Sequence, residues 1–115
     1  MKVAVIGSRS FADRVLLTQT LDQMEISVLI SGGAKGADQL AQSYAESKRI
    51  QVEIYKPDWR IGRGAGPVRN AKIIEACDQV VAFWDGESAG TKDAVAKARA
   101  KGRPVKVITF QKPQT

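Results

Sequence analysis

At 115 residues, with 43% apolar and 26% charged side chains, the chain has the composition of one globular domain that buries about two-thirds of its unfolded surface. It contains no histidine, which excludes Ser-His and Cys-His nucleophile pairs, histidine bases and histidine-ligated zinc. A formal charge of +6 favours anionic partners such as nucleotides or nucleic acid, and any catalysis falls to carboxylates, hydroxyls, Lys or Arg.

Taken in order, residues 2–6 are a β-branched apolar run that ends at Gly7-Ser8-Arg9, a first strand with its loop. Residues 11–25 read as a helix, with Asp13 near its start and Leu17, Leu21 and Met24 on one face. A second strand, 27–30, leads into Ser31-Gly-Gly-Ala-Lys-Gly-Ala-Asp38, where glycines fall at 32, 33 and 36. The helix that follows ends near Lys48 and carries Ala37, Leu40, Ala41, Tyr44 and Ala45 at the spacing of a core-facing stripe. Residues 51–55 form a third strand, closed by Lys56-Pro57-Asp58-Trp59. Residues 60–67 read as a flexible, basic, glycine-rich loop, and Pro67 suits the first position of a helix running to about Ala76. The fourth strand, 79–84, passes through Asp85-Gly-Glu-Ser-Ala-Gly90 into a helix from Thr91 to about Lys101. Gly102 ends that helix, 105–110 make a fifth strand, and 111–115 read as a frayed tail after a single domain, 1–110.

Short apolar strands alternating with helices predict an α/β fold: a Rossmann-like three-layer sandwich with a five-stranded parallel sheet. Right-handed crossovers and one reversal give strand order 3-2-1-4-5. No apolar run approaches the roughly 20 residues that span a bilayer, so no membrane partner is expected. The N-terminus lacks the features of an export signal and Cys77 has no second cysteine to pair with, which together suggest a cytoplasmic protein.

In such a sheet the βα loops share one edge, and here that edge collects the chemistry. It holds Gly7, Ser8 and Arg9; Ser31, Gly32, Gly33, Lys35, Gly36 and Asp38; Trp59, Arg69 and Asn70; and Trp84, Asp85, Gly86, Ser88, Gly90 and Thr91. The opposite loops are plain. Open α/β sheets bind ligands at the carboxyl edge where the strand order reverses. Two glycine turns that each open a helix offer unpaired N–H groups and partial positive charge to a phosphate. The alternative for the Ser31–Asp38 turn is geometry alone, a tight βα connection that needs glycine.

Ser31–Gly36 lacks both the dinucleotide spacing and the Gly-Lys-Ser/Thr of a P-loop, which argues against a P-loop NTPase and an ordinary NAD dehydrogenase. Trp59 and Trp84 follow strand ends, where a ring stacks on a base or caps the sheet edge. Asp38 suits either a helix cap or a ribose contact, and Asp85 a ribose, a base edge or water. Arg69 and Asn70 suit a phosphate. The 60–67 stretch reads as a basic lid or as solvated surface. Cys77 lies at an αβ turn, away from these groups, and reads as packing. No metal or certain cofactor is expected; the expected ligand is a nucleotide or a nucleotide-derived molecule.

Five pieces in order, Gly7-Ser8-Arg9-x-Phe11, Ser31-Gly-Gly-Ala-Lys-Gly-Ala-Asp38, Pro57-x-Trp59, Gly66-Pro-Val-Arg69-Asn70 and Ala82-Phe-Trp-Asp-Gly-x-Ser-x-Gly90-Thr91, make the chain resemble the SLOG superfamily. It is most similar to the small stand-alone YspA/YpsA-related branch. The resemblance covers nearly the whole chain and implies a Rossmann-like domain that binds nucleotides or nucleotide-derived ligands, often in a self-associated form. Two groups of relatives imply different activities. The Lonely Guy phosphoribohydrolases cleave the N-glycosidic bond of nucleoside monophosphates. Arg69 and Gly90-Thr91 align with their arginine and Gly-Thr-x-x-Glu motifs, but the position of their glutamate holds Ala94. The neighbouring Asp93 projects about 100° away around the helix, leaving Asp85, Glu87 or Asp58 as the carboxylate such cleavage needs. The DNA-processing relatives carry a similar Ser-Gly-x-Ala-x-Gly-x-Asp turn and bind single-stranded DNA.

These lines define three expectations: a nucleotide-ligand-binding or sensing domain that forms a homo-oligomer; an N-glycosidase with Arg69 and Asp85 as its working pair; or a single-strand nucleic-acid binder using the basic edge.

Overall fold

A computed structural model describes residues 1–111 of the chain; positions 112–115 of the expected tail lie outside the described residues. The strands are β1 (Lys2–Gly7), β2 (Val28–Ser31), β3 (Gln51–Ile54), β4 (Gln79–Trp84) and β5 (Val105–Thr109). The helices are α1 (Arg14–Asp22), α2 (Ala37–Ser47), α3 (Ala65–Ala76) and α4 (Ala89–Ala100). All four strand pairings are parallel, in the order β3-β2-β1-β4-β5. The expected Rossmann-like topology is therefore the observed one, with its reversal between β1 and β4.

Alternation along the central strands sorts the core into two layers, as a pleated sheet requires. Val3, Val5, Leu29, Val81 and Phe83 face α1 and α2, and pack on Leu17, Leu21, Ala41, Tyr44 and Ala45. Ala4, Ile6, Ile30, Val80 and Ala82 face α3 and α4, and pack on Ile73, Ile74, Ala94, Val95 and Ala98. Cys77 is buried in that second layer. Among the described residues no helix is long and apolar enough to cross a membrane.

Helix ends depart from the sequence reading for local reasons. The first helix begins at Arg14 rather than residue 11, because Asp13 caps it by accepting the Leu16 N–H at 3.0 Å. Phe11 is thereby released into the core, its ring 4.6 Å from that of Phe83 and 4.9 Å from that of Phe110. The glycine-rich stretch after β3 is not an open loop. Asp58 accepts the Arg60 N–H and starts a 3-10 helix, Trp59–Gly64, none of whose residues is buried. Pro67 occupies the third position of α3 rather than the first, still within the turn whose N–H groups have no intrahelical partner. The last helix begins two residues early, at Ala89, which moves Gly90 and Thr91 from its approach into its first turn.

Two glycines let α2 dock against the end of β1. A Cβ on Gly7 would lie 2.6 Å from both Ala37 Cβ and the Phe83 carbonyl oxygen. Gly36 combines a φ of +78° with a hypothetical Cβ 2.5 Å from the Ser8 and Arg9 carbonyl oxygens. Gly36→Ala is therefore expected to cost at least about 2 kcal/mol. Gly90→Ala, in open space on a helix, is expected to leave stability unchanged or raise it by up to about 1 kcal/mol. Urea unfolding of the two variants beside the parent checks both; equal effects would contradict the close-approach account.

Candidate functional site

A cleft of about 490 Å³ opens at the carboxyl edge, beyond the ends of β1 and β4, where the strand order reverses. It is large enough for a small organic ligand. Of the residues expected there, Gly7, Ser8, Arg9, Gly32, Asp38, Arg69, Asn70, Asp85, Ser88, Gly90 and Thr91 line it. Ser31, Gly33, Lys35, Gly36, Trp59, Trp84 and Gly86 do not. Ser10, Ala34, Ile6 and Ile73 complete the wall and went unforeseen; Ala94 completes it too, and the sequence marks that residue only through its position beside the glycine turn. Ser10 could have been found by continuing the Gly7-Ser8-Arg9 loop one residue.

Ser8 organises the floor. Its N–H donates to the Phe83 carbonyl at 2.9 Å, and its own carbonyl accepts from Phe11 at 3.1 Å and Ala37 at 3.4 Å. Its hydroxyl, 2% exposed as part of the residue, accepts the Asp85 N–H at 3.1 Å and lies 2.9 Å from Ser88 Oγ. Asp85 shapes the next turn: its Oδ1 accepts the N–H groups of Glu87 at 2.9 Å and Ser88 at 2.8 Å. Trp84 secures the same turn from behind, donating its indole N–H to the Ser88 carbonyl at 3.1 Å. Trp59, by contrast, is 64% exposed on the 3-10 helix.

The first glycine turn already has partners for several of its N–H groups. Ser31 Oγ accepts from Gly33 at 3.2 Å, and Asp38 Oδ2 accepts from Ala34 at 3.1 Å. Gly32 also donates to the Asp38 carboxyl. Lys35 is exposed. The second turn is different. Ser88 makes no side-chain cap at the start of α4, Gly90 has open space around its α-carbon, and Thr91 lines the cleft just behind it. The positive end of that helix faces the cavity.

Two guanidinium groups, Arg9 and Arg69, also face the cleft. Arg69 Nη1 donates to the carbonyls of Gly32 at 2.8 Å and Tyr55 at 3.4 Å, and its Nε donates to Asn70 Oδ1 at 3.0 Å. Desolvation lowers the Arg69 pKa from its ordinary value, Asp38 opposes that shift, and the like charge of Arg9 adds to it. Burial raises the Asp38 carboxyl despite the backbone N–H groups and Arg69 that favour its charge. Asp93 is turned toward Asn70 and Lys97, while Ala94 presents an apolar wall. Among the described residues no group of three metal-ligating side chains is assembled.

Fold and cleft together define a Rossmann-like domain with a cleft at its topological switch point. A family model described as YspA, cpYpsA-related SLOG matches residues 1–62. The chain is also 34% identical over 116 residues to the Gene 61 protein of Mycobacterium phage D29, covering 90% of this chain and 93% of that protein. The chain belongs to the YspA, cpYpsA-related SLOG family. Its fold is similar to DNA processing protein A of Streptococcus pneumoniae, with a TM-score of 0.78 at 23% identity over 96% of this chain. It is also similar to the Helicobacter pylori protein of that name, known for a single-stranded DNA binding mode, with a TM-score of 0.69 at 24% identity over the whole chain. The chain spans 50% of the streptococcal protein and 66% of the Helicobacter one.

The raised Asp38 carboxyl sets a pH dependence. The fold favours its protonated form, a stabilisation fully present below the ordinary value of 3.8 and lost as pH rises through the raised value. Asp38→Asn removes that titration, so the variant is expected to gain stability relative to the parent as pH increases above 3.8. Urea midpoints measured across pH check this, and a pH-independent difference would contradict it.

Proposed function

We propose that the chain binds a nucleotide or nucleotide-derived small molecule at the carboxyl edge of its sheet, acting as a ligand-binding or sensing domain. The observation that carries this reading is the lining of one cleft. Arg9 and Arg69 both line it, beside the start of α4, where Ser88 provides no side-chain cap. An anion placed there meets two guanidinium groups and the positive end of the helix. We assign the phosphate to Gly90, Thr91, Arg9 and Arg69, rather than to Gly32, Gly33, Lys35 and Gly36. Asp38 already occupies much of that first turn, which then serves as a wall with Ser31 behind it.

The cleft's charges favour a ligand of low charge. Arg9 and Arg69 are matched by Asp38 and Asp85 among the residues lining it. Binding ranks ahead of N-glycoside cleavage because the wall at Ala94 is apolar and Asp93 is engaged elsewhere. If cleavage occurs, Asp85 and Arg69 remain the pair to which we assign it.

Single-stranded nucleic acid is the second reading. It is favoured by the exposed Trp59 and by Lys56, Arg63 and Lys72 around the 3-10 helix. Arg60 contributes less there, since its guanidinium is paired with Asp58 at 2.9 Å. Exposed Ile54, Trp59, Ile61 and Val68 support the proposal that the chain self-associates. A cytoplasmic setting suits the lone, buried Cys77.

A thermal-shift screen with nucleoside monophosphates, NAD and ADP-ribose is expected to raise the melting temperature with at least one of them. Arg9→Ala or Thr91→Ala is expected to weaken that ligand about tenfold each, the loss of one charge-assisted or one neutral contact. No shift with any compound would contradict the proposal. Release of free base that disappears in Asp85→Asn would replace it with the hydrolase reading, and oligonucleotide binding that weakens steeply with salt would support the second.

A further inference from the structure

One chain of hydrogen bonds crosses the cleft wall from the first glycine turn to the start of α4. Arg69 is held by the Gly32 and Tyr55 carbonyls at Nη1 and by Asn70 Oδ1 at Nε. Asn70, 7% exposed, passes the connection on: its Nδ2 donates to the Gly90 carbonyl at 3.2 Å and to Asp93 Oδ2 at 3.0 Å. Asp93 Oδ1 in turn receives Lys97 Nζ at 2.5 Å. Both amide hydrogens and the amide oxygen of Asn70 are thus engaged, the oxygen with Arg69 on the same helix and the hydrogens with Gly90 and Asp93 on α4.

We propose that Asn70 is a positioning residue that couples the two glycine turns, aiming the Arg69 guanidinium and the start of α4 into the cleft as one unit, with Asp93 and Lys97 as its anchor. The inference rests on the reading that the cleft binds a nucleotide, but its geometry is independent of any ligand. Among the described residues Arg69 Nη2 carries the N–H pair that none of these bonds uses. Fixing Nε and Nη1 fixes the direction of Nη2, because the guanidinium is planar. Gly90 lies in the α4 turn, so the same amide sets the distance between that turn and the guanidinium. Asp93 thereby has an account in a chain that carries alanine at the next position: it orients an amide instead of facing a substrate. Asn meets this demand where Asp does not. An aspartate at 70 would still accept from Arg69 but would offer nothing to Gly90 and would face the Asp93 carboxylate.

The test combines nitrogen-15 NMR of the Arg69 Nε–H with titration of adenosine 5′-monophosphate as the probe. In the parent chain the Nε–H signal is expected to be protected from solvent exchange. Asn70→Ala is expected to speed its exchange at least tenfold and weaken the probe about tenfold. Asn70→Asp is expected to keep the Nε–H protected while still weakening the probe. The exchanged pair Asn70→Asp with Asp93→Asn, unchanged in net charge, is expected to recover affinity to within about threefold of the parent. Should Asn70→Ala fail to fold, Asp93→Ala carries the same test, with a several-fold rise in Nε–H exchange expected. Unchanged Nε–H exchange in folded Asn70→Ala, or in Asp93→Ala where it stands in, would overturn the proposal. Loss of Nε–H protection in a protein whose parent form does not bind the probe would leave the coupling standing and remove the nucleotide reading instead.

Discussion

The rest of the structure depends on how closely the start of α2 approaches the end of β1. Ser8 sits at that junction, its backbone joined to β4 through Phe83 and to α2 through Ala37, its hydroxyl joined to the turn after β4. The approach is possible only because residues 7 and 36 lack a Cβ. Bringing α2 this close sets one wall of the cleft. Tying the same serine to Asp85 and Ser88 sets the other. The glycines of the first turn therefore act first through backbone geometry.

This constraint also redistributes the charges. With Asp38 folded under the first turn, its carboxyl takes up N–H groups that would otherwise be available to a phosphate, and Arg69 is drawn in beside it. Positive potential is left at Arg9 and at the start of α4, where Ser88 provides no side-chain cap. A phosphate bound there would complete a local imbalance.

The fold was legible because its signals are local and repeated. The apolar runs at β1, β2, β4 and β5 and the glycines between them leave few alternatives to a parallel sheet, and strand order then follows from crossover handedness. Helix starts were less legible, since Asp13 and Asp58 act as caps through side-chain geometry that spacing does not reveal. The cleft was legible as an edge, because the loops that form it share a side of any such sheet. Which groups point into it was not. Nothing in the sequence distinguishes Asp38, bonded to Ala34 and Gly32, from a carboxylate open to a ligand. Nor does it show that Trp84 is held by the Ser88 carbonyl while Trp59 stands exposed. The bridge through Asn70 joins residues 20 and 23 positions apart, a separation no local pattern encodes.

The central claim is that the cleft between the β1 and β4 loops holds a nucleotide with its phosphate at the start of α4. Backbone amide NMR during titration with adenosine 5′-monophosphate and ADP-ribose tests it most directly. The account predicts saturable shifts concentrated at residues 7–10 and 88–91, with smaller ones at 69 and 70. Absence of saturable shifts there, or shifts confined to the basic surface at residues 56–72, would contradict it.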